Sequence, residues 1–208
     1  MRILITAGPT KEFIDPVRFI SNSSTGFFGY EIAKAAIRRG HKVTLISGPT
    51  SLIAPKKVKF VPVITALEMR AAVNRFYPSS ECLIMTAAVA DYRPDAPVGK
   101  KIKKTKNQLT VRLKKNPDIL LEAGKKKGRR ILAGFALETE NLIANAKEKL
   151  KRKNLDFIVA APLQGKNDPF GNKKARFVII DRCGKVKNVA CAKQKLSNII
   201  IDNAESFH

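Results

Sequence analysis

Short apolar runs that alternate with helical segments are the feature that most constrains the fold of this chain. The first run, Arg2–Gly8, is mostly apolar and ends in glycine, a pattern typical of a strand buried on both faces. Similar runs follow at residues 41–47, 82–90, 130–137 and 156–161. The run at 82–90 is the most apolar, which predicts a place at the centre of the sheet. Because strands joined through helices pair by right-handed crossovers, the order predicts a mostly parallel α/β sheet.

The segments between these runs carry helix signals. From Gly26 to Gly40 the apolar residues recur on one helical face, and Gly40 suits the C-terminal cap. Thr65 and Glu68 form a capping box that opens a helix reaching about Tyr77. A strand at 59–64 contains Pro62, which predicts a sheet edge because proline has no N–H to donate. Three further helices are predicted at about 118–126, 141–153 and 193–206.

Two segments depart from this alternation. Residues 9–25 form a long polar loop. Residues 91–117 are polar and basic, with one alternating stretch at 108–114, and predict an inserted hairpin or arm that projects from the sheet. Near the end, the runs at 176–181 and 185–191 predict a closing β-hairpin. At 208 residues without repeats or a low-complexity linker, the chain is predicted to form one Rossmann-like, doubly wound domain over residues 1–208.

Composition narrows the environment and the cofactors. No run of 18 apolar residues occurs, and the start of the chain lacks the sections of a secretory signal. The three cysteines have no C-x-x-C spacing and the chain has only two histidines, so a zinc site is not expected. We therefore expect reduced thiols in a soluble, cytoplasmic protein that does not enter a membrane.

The charge raises the alternative of a nucleic-acid partner. Forty Lys and Arg residues against seventeen Asp and Glu give a net charge of +23, and phosphate neutralisation drives non-specific nucleic-acid binding. The basic residues are spread over four clusters, and no tryptophan or RNA-binding aromatic motif accompanies them. A solvated basic surface is therefore favoured over nucleic acid as the main ligand. The clusters lie at residues 100–106, 112–115, 125–130 and 147–153.

In a doubly wound sheet, ligands bind outside the carboxyl ends of the strands. The loop that ends at Asn22–Gly29 leads small hydroxyl residues and glycines into a helix, a pattern that suits either an anion site or a plain helix cap. It matches neither the dinucleotide fingerprint nor the Walker loop. After the strand at 82–90, Asp91 could accept hydrogen bonds from a ribose, hold Mg²⁺, or simply face water. Lys101–Lys104 could neutralise phosphate charge or form a basic arm in solvent.

Together, a series of segments in order closely resembles the phosphopantothenate–cysteine ligases of coenzyme A biosynthesis. The segments are ITAGPT (5–10), IDPVRFISN (14–22), STG-x-x-G (24–29), VTLISGPT (43–50), AAVADYRP (87–94), KIKK (101–104), KNPDIL (115–120), GFALET (134–139) and KRKNLDFIVA (151–160). The resemblance implies that the carboxylate of 4′-phosphopantothenate attacks the α-phosphate of a nucleoside triphosphate, and that the amine of L-cysteine then attacks the acyl-nucleotide. Bacterial members use CTP with Mg²⁺ and animal-type members favour ATP. The sequence at residues 8–22 and 101–104 resembles that of the bacterial form, so CTP is expected.

The resemblance also implies residue roles. Asn22 would contact the acyl-nucleotide and Lys101 would act in activation and in conversion of the intermediate, so these two are the predicted catalytic residues. Arg18 would support the phosphopantothenate end, and the predicted substrate-binding set also contains Ser24, Thr25, Gly26 and Gly29. The predicted nucleotide-binding set is Met85, Thr86, Ala87, Asp91, Lys101, Pro117, Asp118, Ile119, Leu120, Phe135, Lys149 and Lys153.

Family members are dimeric, and the segment after residues 87–94 contributes to pairing and covers the site, so a homodimer is expected. In this family the domain occurs alone or fused behind a flavin-dependent decarboxylase. This chain is expected to be either a stand-alone ligase or the ligase domain of such a fusion. The chain differs from the usual sequence of the family at Thr25, at Phe27–Phe28 and at Leu137. The two phenylalanines are expected to alter packing below the anion loop.

A dinucleotide-dependent reductase remains the alternative enzyme class, because the strand–helix order suits that fold. The glycine spacing after the first strand is wrong for it. A Tyr-x-x-x-Lys arrangement occurs only as Tyr30 and Lys34, both within the first predicted helix.

Overall fold

The computed structural model of the chain describes residues 1–104, 107–164, 167 and 174–208. Its strands are β1 (Arg2–Ala7), β2 (Lys11–Phe13), β3 (Phe19–Ser21), β4 (Lys42–Ser47), β5 (Val58–Pro62), β6 (Cys82–Met85), β7 (Tyr92–Pro94), β8 (Leu113–Lys115), β9 (Ile131–Glu138), β10 (Phe157–Pro162), β11 (Ala175–Asp181) and β12 (Val186–Cys191). The helices are α1 (Phe27–Arg38), α2 (Ala66–Phe76), α3 (Ile119–Lys125), α4 (Leu142–Arg152) and α5 (Lys193–Ser206), and a 3-10 turn spans Tyr77–Ser79.

One eight-stranded sheet organises the molecule, in the order β12-β11-β10-β9-β6-β1-β4-β5. The six strands from β10 to β5 are parallel to their neighbours, whereas β11 and β12 pair antiparallel as a hairpin. The parallel part has the strand order of dinucleotide-binding folds, with β1 and β6 at the centre. The predicted α/β fold class, the central position of β6, the edge position of β5 with Pro62 and the C-terminal hairpin are all confirmed.

Apolar residues on both faces of β1 explain why its sequence reads as a continuous run. Because successive side chains point to opposite faces, Ile3 and Ile5 join the core beneath α1 and α5, while Leu4 joins the core beneath α2, α3 and α4. All three residues are at most 1% exposed. Among the described residues, no helix has the length and apolar character needed to cross a lipid bilayer.

The polar loop at 9–25 contains a structure that the sequence did not predict. Strands β2 and β3 pair as a small antiparallel hairpin, with Glu12 opposite Ile20. The rings of Phe13 and Phe19 meet edge to face, with their centroids 5.8 Å apart. Strands of three residues are too short to show an alternating pattern, which is why the loop alone was predicted.

The arm also differs in detail from its prediction. Strand β6 ends at Met85 rather than near residue 90. The arm is closed at its base by β7 and β8, which place Arg93 opposite Lys114. Of the alternating stretch at 108–114, only the end from Leu113 onward belongs to a strand. Residues 105–106 of the arm lie outside the described residues.

Candidate active site

A crevice opens at the centre of the sheet, where successive strands are added first on one side of β1 and then on the other. Strand β4 pairs with one edge of β1, and β6 pairs with the other edge, with β9 beyond it. A cavity of about 370 Å³ opens at the carboxyl ends of β6 and β9. It is lined by Asn22 and by every residue of the predicted nucleotide-binding set except Lys101, with Ala88, Val89, Ala90, Asn116, Ala136 and Leu137 in addition. Residues from the loop after β1, from the loop after β6 and from the last part of β9 therefore share one crevice.

The floor of the cavity is the loop that follows β6, and two buried threonines hold it. Thr6 Oγ1 accepts a hydrogen bond from the Ala87 N–H at 3.2 Å, and Thr10 Oγ1 accepts one from the Ala90 N–H at 3.1 Å. Both threonines are 0% exposed. These side-chain bonds accompany backbone bonds that continue the pairing beyond Met85, from the Thr86 N–H to the Thr6 carbonyl oxygen at 3.2 Å and from the Ala88 N–H to the Gly8 carbonyl oxygen at 2.9 Å. The small side chains leave the backbone of this loop open to a flat ligand.

Two asparagines fix the same loop from its carbonyl side. Asn22 Nδ2 donates to the carbonyl oxygens of Ala88 at 3.2 Å and Val89 at 3.1 Å. Asn116 Nδ2 donates to the carbonyl oxygen of Ala90 at 2.8 Å. Asn22 therefore contacts the loop directly and lies on the cavity wall, where the resemblance places an intermediate-binding residue. Asn116 was not predicted, because an asparagine before proline is a common turn pattern.

Two lysines of the cavity wall are held by acids. Lys153 Nζ lies 2.9 Å from Asp118 Oδ1, and Lys149 Nζ lies 2.5 Å from Glu138 Oε1. The same Asp118 oxygen caps α3 by accepting from the Leu121 N–H at 3.1 Å. The ion pairs fix where the two cations stand along the wall. Glu138 was missed as a site residue, since the sequence at the end of β9 is too generic to indicate a partner for a lysine on the next helix.

The carboxylates of the cavity bear on whether it could hold a metal ion. Within the described ranges, no group of three or more His, Cys, Asp or Glu side chains is placed to hold one. Asp118 is engaged by Lys153. Asp91 is exposed, and among the described residues its carboxylate makes no hydrogen bond or ion pair. This donor set fits Mg²⁺ only as an ion bound mainly by phosphate oxygens and water.

A second, smaller cavity of about 40 Å³ lies at the start of α1. Thr86 lines both cavities and so joins them. Gly26 forms the N-cap with φ at 76°, a left-handed conformation that favours glycine. The predicted residues Ser24, Thr25, Gly26 and Gly29 all line this cavity. Lys193 also lines it and is 1% exposed. Lys193 was missed because nothing in the sequence ties the start of α5 to the start of α1.

Phe27 and Phe28, which differ from the usual sequence of the family, pack against the site. The ring of Phe28 meets that of Phe135 nearly at right angles, with centroids 5.0 Å apart, and that of Phe177 at 6.0 Å. Phe135 lines the larger cavity. The ring of Phe27 lies 5.8 Å from Lys193 Nζ. The two phenylalanines thus pack beneath the anion loop, and Phe28 reaches the larger cavity through its contact with Phe135.

Neither Arg18 nor Lys101 lines either cavity, and Arg18 contacts Ile102, the residue after Lys101. Arg18 Nη1 donates to the carbonyl oxygen of Ile102 at 3.2 Å and to Asp15 Oδ2 at 2.5 Å. Burial would raise the pKa of Asp15, but hydrogen bonds from the N–H groups of Val17, Arg18 and Ile102 and from the Arg18 guanidinium outweigh it and lower the pKa to about 2. The arm thus meets the tip of the β2–β3 hairpin, beside the residue predicted to be catalytic.

The chain is similar to characterised proteins over most of its length. It is 51% identical over 175 residues to the coenzyme A biosynthesis bifunctional protein CoaBC of Escherichia coli K12, covering 80% of this chain and 43% of that protein. The Bacillus subtilis CoaBC is 49% identical over 170 residues, covering 81% of this chain and 42% of the relative. The chain therefore spans less than half the length of these relatives.

A solved structure gives the same result for the fold. The crystal structure of the C-terminal domain of CoaBC superposes with a TM-score of 0.84 at 38% identity, covering 99% of this chain and 94% of that one. The family model of the DNA/pantothenate metabolism flavoprotein C-terminal domain matches residues 1–207. These findings confirm the resemblance found in the motifs. The chain belongs to the DNA/pantothenate metabolism flavoprotein C-terminal domain family.

Proposed function

We propose that this chain is a ligase of coenzyme A biosynthesis that joins 4′-phosphopantothenate to L-cysteine at the expense of CTP. The observation that carries the proposal is the larger cavity, whose walls bring together residues more than a hundred positions apart in the chain, from Asn22 to Lys153. Membership of the family and the name of its curated relatives support the pathway.

The first step is attack of the phosphopantothenate carboxylate on the α-phosphorus of CTP, which expels pyrophosphate and leaves an acyl-cytidylate. The larger cavity is the nucleotide site, and its floor of alanines lets the ligand approach the backbone of the loop at 86–90. Lys149 and Lys153 supply positive charge along one wall. The smaller cavity at the start of α1 offers backbone N–H groups and a helix amino terminus to a phosphate.

In the second step, the amine of cysteine attacks the acyl carbonyl and CMP leaves. We assign contact with the acyl-cytidylate to Asn22, which already fixes the loop beneath it. Lys101 supplies a cation where negative charge develops, a role that contributes roughly 100- to 1,000-fold in rate when the charge is preorganised. The reaction needs no enzyme nucleophile, so positioning of two bound reactants provides much of the acceleration.

Mg²⁺ enters this proposal with the triphosphate, whose charge it would neutralise. Asp91 is the wall carboxylate that is not engaged by a lysine among the described residues. Two assignments stay open for Asp91: a contact with the ribose hydroxyls, which the resemblance favours, and a ligand of the metal ion. The measurement that separates them is the Mg²⁺ dependence of an Asp91→Asn enzyme.

We further propose a homodimer in the cytoplasm. Lys101 is exposed and stands outside the cavity walls, which is consistent with an arm that completes a site only in an assembled enzyme. Cys82 and Cys191 are buried and Cys183 is exposed, and the proposed reducing compartment would keep all three as thiols. Sedimentation of the purified chain at several concentrations tests the dimer.

The test of the function is pyrophosphate release from a panel of CTP, ATP, GTP and UTP, assayed with phosphopantothenate and cysteine. We expect release with CTP that depends on phosphopantothenate, and a fall of roughly 100-fold in Lys101→Gln. A Lys101→Gln enzyme that turns over at the wild-type rate would refute the role of that lysine. Tight NADPH binding without CTP binding, measured by calorimetry, would instead favour the reductase.

A further inference from the structure

The tip of the β2–β3 hairpin contains a buried carboxylate that the proposed mechanism does not use. The side chain of Asp15 is 0% exposed, although the next residues, Pro16, Val17 and Arg18, are exposed. Burying a carboxylate is unfavourable unless hydrogen bonds and opposite charge compensate it. The groups that compensate Asp15 therefore indicate what its charge stabilises.

The two oxygens of Asp15 have different partners. Oδ1 accepts from the N–H groups of Val17 and Arg18, both at 2.8 Å, and so closes the turn of the hairpin tip. Oδ2 accepts from Arg18 Nη1 at 2.5 Å and from the Ile102 N–H at 3.1 Å. The same Arg18 nitrogen donates to the Ile102 carbonyl oxygen at 3.2 Å. One oxygen thus forms the turn, while the other holds the backbone of the arm one residue after Lys101.

The arm has a second anchor on the same tip. The Val98 N–H donates to the Ile14 carbonyl oxygen at 2.9 Å. Only Gly99, Lys100 and Lys101 lie between the two anchors. The segment that presents Lys101 is therefore tied at both ends to the β2–β3 hairpin, even though its own side chains face solvent.

We propose that Asp15 is a positioning residue for Lys101: through Oδ2 it fixes the arm at Ile102 and so sets the place from which the Lys101 ammonium acts. This inference rests on the proposed function and gives Asp15 no contact with substrate. A lysine side chain has four rotatable bonds, so its charge is preorganised only if the backbone that carries it is fixed. With its pKa lowered from 3.8 to about 2, Asp15 stays ionised well into the acid range as well as at neutral pH, so the anchor is in place throughout the range in which the enzyme would work.

The variant Asp15→Asn separates the two functions of this side chain. Its amide oxygen can still close the turn with Val17 and Arg18, whereas its Nδ2 group opposes the Ile102 N–H and the Arg18 guanidinium, donor against donor. We expect kcat for pyrophosphate release to fall roughly 10-fold or more, with KM for CTP changed less than about threefold, because the nucleotide walls are untouched. A kcat within twofold of wild type would overturn the proposal.

Asp95→Asn is the matched control. Asp95 is another carboxylate of the arm, and it pairs with Lys114 at 2.9 Å near the surface. It has no contact with the backbone next to Lys101 among the hydrogen bonds of the described residues. We expect the wild-type kcat from this variant, so the effect of Asp15→Asn is not a general response of the arm to a lost charge.

A double-mutant cycle distinguishes positioning from a purely structural role. If Asp15 acts through Lys101, Asp15→Asn should lower the rate less than twofold in a Lys101→Gln background, where the charge to be positioned is gone. Losses that multiply, or a Lys101→Gln enzyme as fast as wild type, would overturn the proposal. Wild-type turnover in the same assay tests the proposed function itself, so the two failures can be told apart.

A second variant removes the anchor from the side of the arm. Ile102→Pro lacks the N–H that donates to Asp15 and leaves the 14–18 turn unchanged, so it tests the contact even if Asp15→Asn folds poorly. Tryptic cleavage after Lys100, Lys103 and Lys104, followed by mass spectrometry, should speed up several-fold in both variants but not in Asp95→Asn; the bond after Lys101 is left out because trypsin does not cut before the proline of Ile102→Pro. Cleavage at the wild-type rate in both variants would contradict the anchoring contact.

Discussion

Gly29 lies so close to Ala7 that a Cβ atom at position 29 would stand 2.5 Å from the Ala7 Cβ. The same atom would stand 2.6 Å from Thr86 Oγ1, which lines both cavities. We predict that Gly29→Ala lowers the free energy of unfolding by about 1–3 kcal/mol, because α1 must move away from β1. Urea unfolding measures this, with Gly99→Ala as the control, since a Cβ there meets nothing within 4 Å. Equal stability of the two variants would contradict the close approach.

Asn22→Asp should damage the site more than the fold. The change replaces the donor that binds the carbonyl oxygens of Ala88 and Val89 with a carboxylate oxygen, which repels both. Asn22 is exposed, so we expect a shift in melting temperature of only a few degrees. We expect kcat/KM to fall by roughly 10-fold or more, since the floor loop loses its anchor. Asn198→Asp, on the surface of α5, is the control for an added charge, and an equal loss there would refute the explanation.

Asp118 connects the stability of α3 with the position of Lys153. We predict that Asp118→Ala lowers the free energy of unfolding by about 1 kcal/mol, the usual effect of losing an N-cap side chain. Asp118→Asn keeps an oxygen for the Leu121 N–H and should lose clearly less stability. Both variants remove the carboxylate that pairs with the Lys153 ammonium, so KM for CTP should rise in both. If KM rose only in the alanine variant, the cap rather than the ion pair would explain the effect on binding.

The lowered pKa of Asp15 predicts a pH dependence of stability. Its pKa of about 2 in the folded protein lies below the ordinary value of 3.8, so its carboxylate contributes stability that is complete above pH 4 and declines as the pH falls toward 2. Asp15→Asn does not titrate. The difference in free energy of unfolding between wild type and Asp15→Asn should therefore be largest above pH 4 and narrow between pH 4 and pH 2. Urea unfolding at a series of pH values checks this, and a difference that widens on acidification would contradict it.

The parts of the fold with strong periodicity could be predicted. Helix α5 begins and ends at the predicted residues, Lys193 and Ser206. The capping signal at the start of α2 was also correct, since Thr65 Oγ1 accepts from the Glu68 N–H at 3.2 Å, although Glu68 returns its bond to the Ile64 N–H rather than to Thr65. In contrast, the strand at 82–90 was predicted too long. Its apolar run continues past Met85, where the regular strand ends and threonine side-chain bonds stand beside irregular backbone bonds.

The candidate site was predictable where strand ends supply it, because parallel strands bring their carboxyl ends to one edge. What could not be predicted are partners from distant elements. Nothing in the order of residues connects Asp15 with Ile102, or Lys193 with Thr86, since these pairs meet only after the arm and α5 have packed. Such contacts arise from tertiary packing, and the resemblance to a family assigned roles to Lys101 and Arg18 without indicating that the arm meets the β2–β3 hairpin.

The strand order has a consequence for how the chain can fold as it leaves the ribosome. Each new strand of the central sheet adds to an edge that is free at that moment: β4 and β5 extend one side of β1, and β6, β9, β10, β11 and β12 then extend the other. No strand has to be inserted between two that are already paired, so the sheet can grow outward during synthesis from its amino-terminal strand. The ligand crevice marks the place where that growth changes direction.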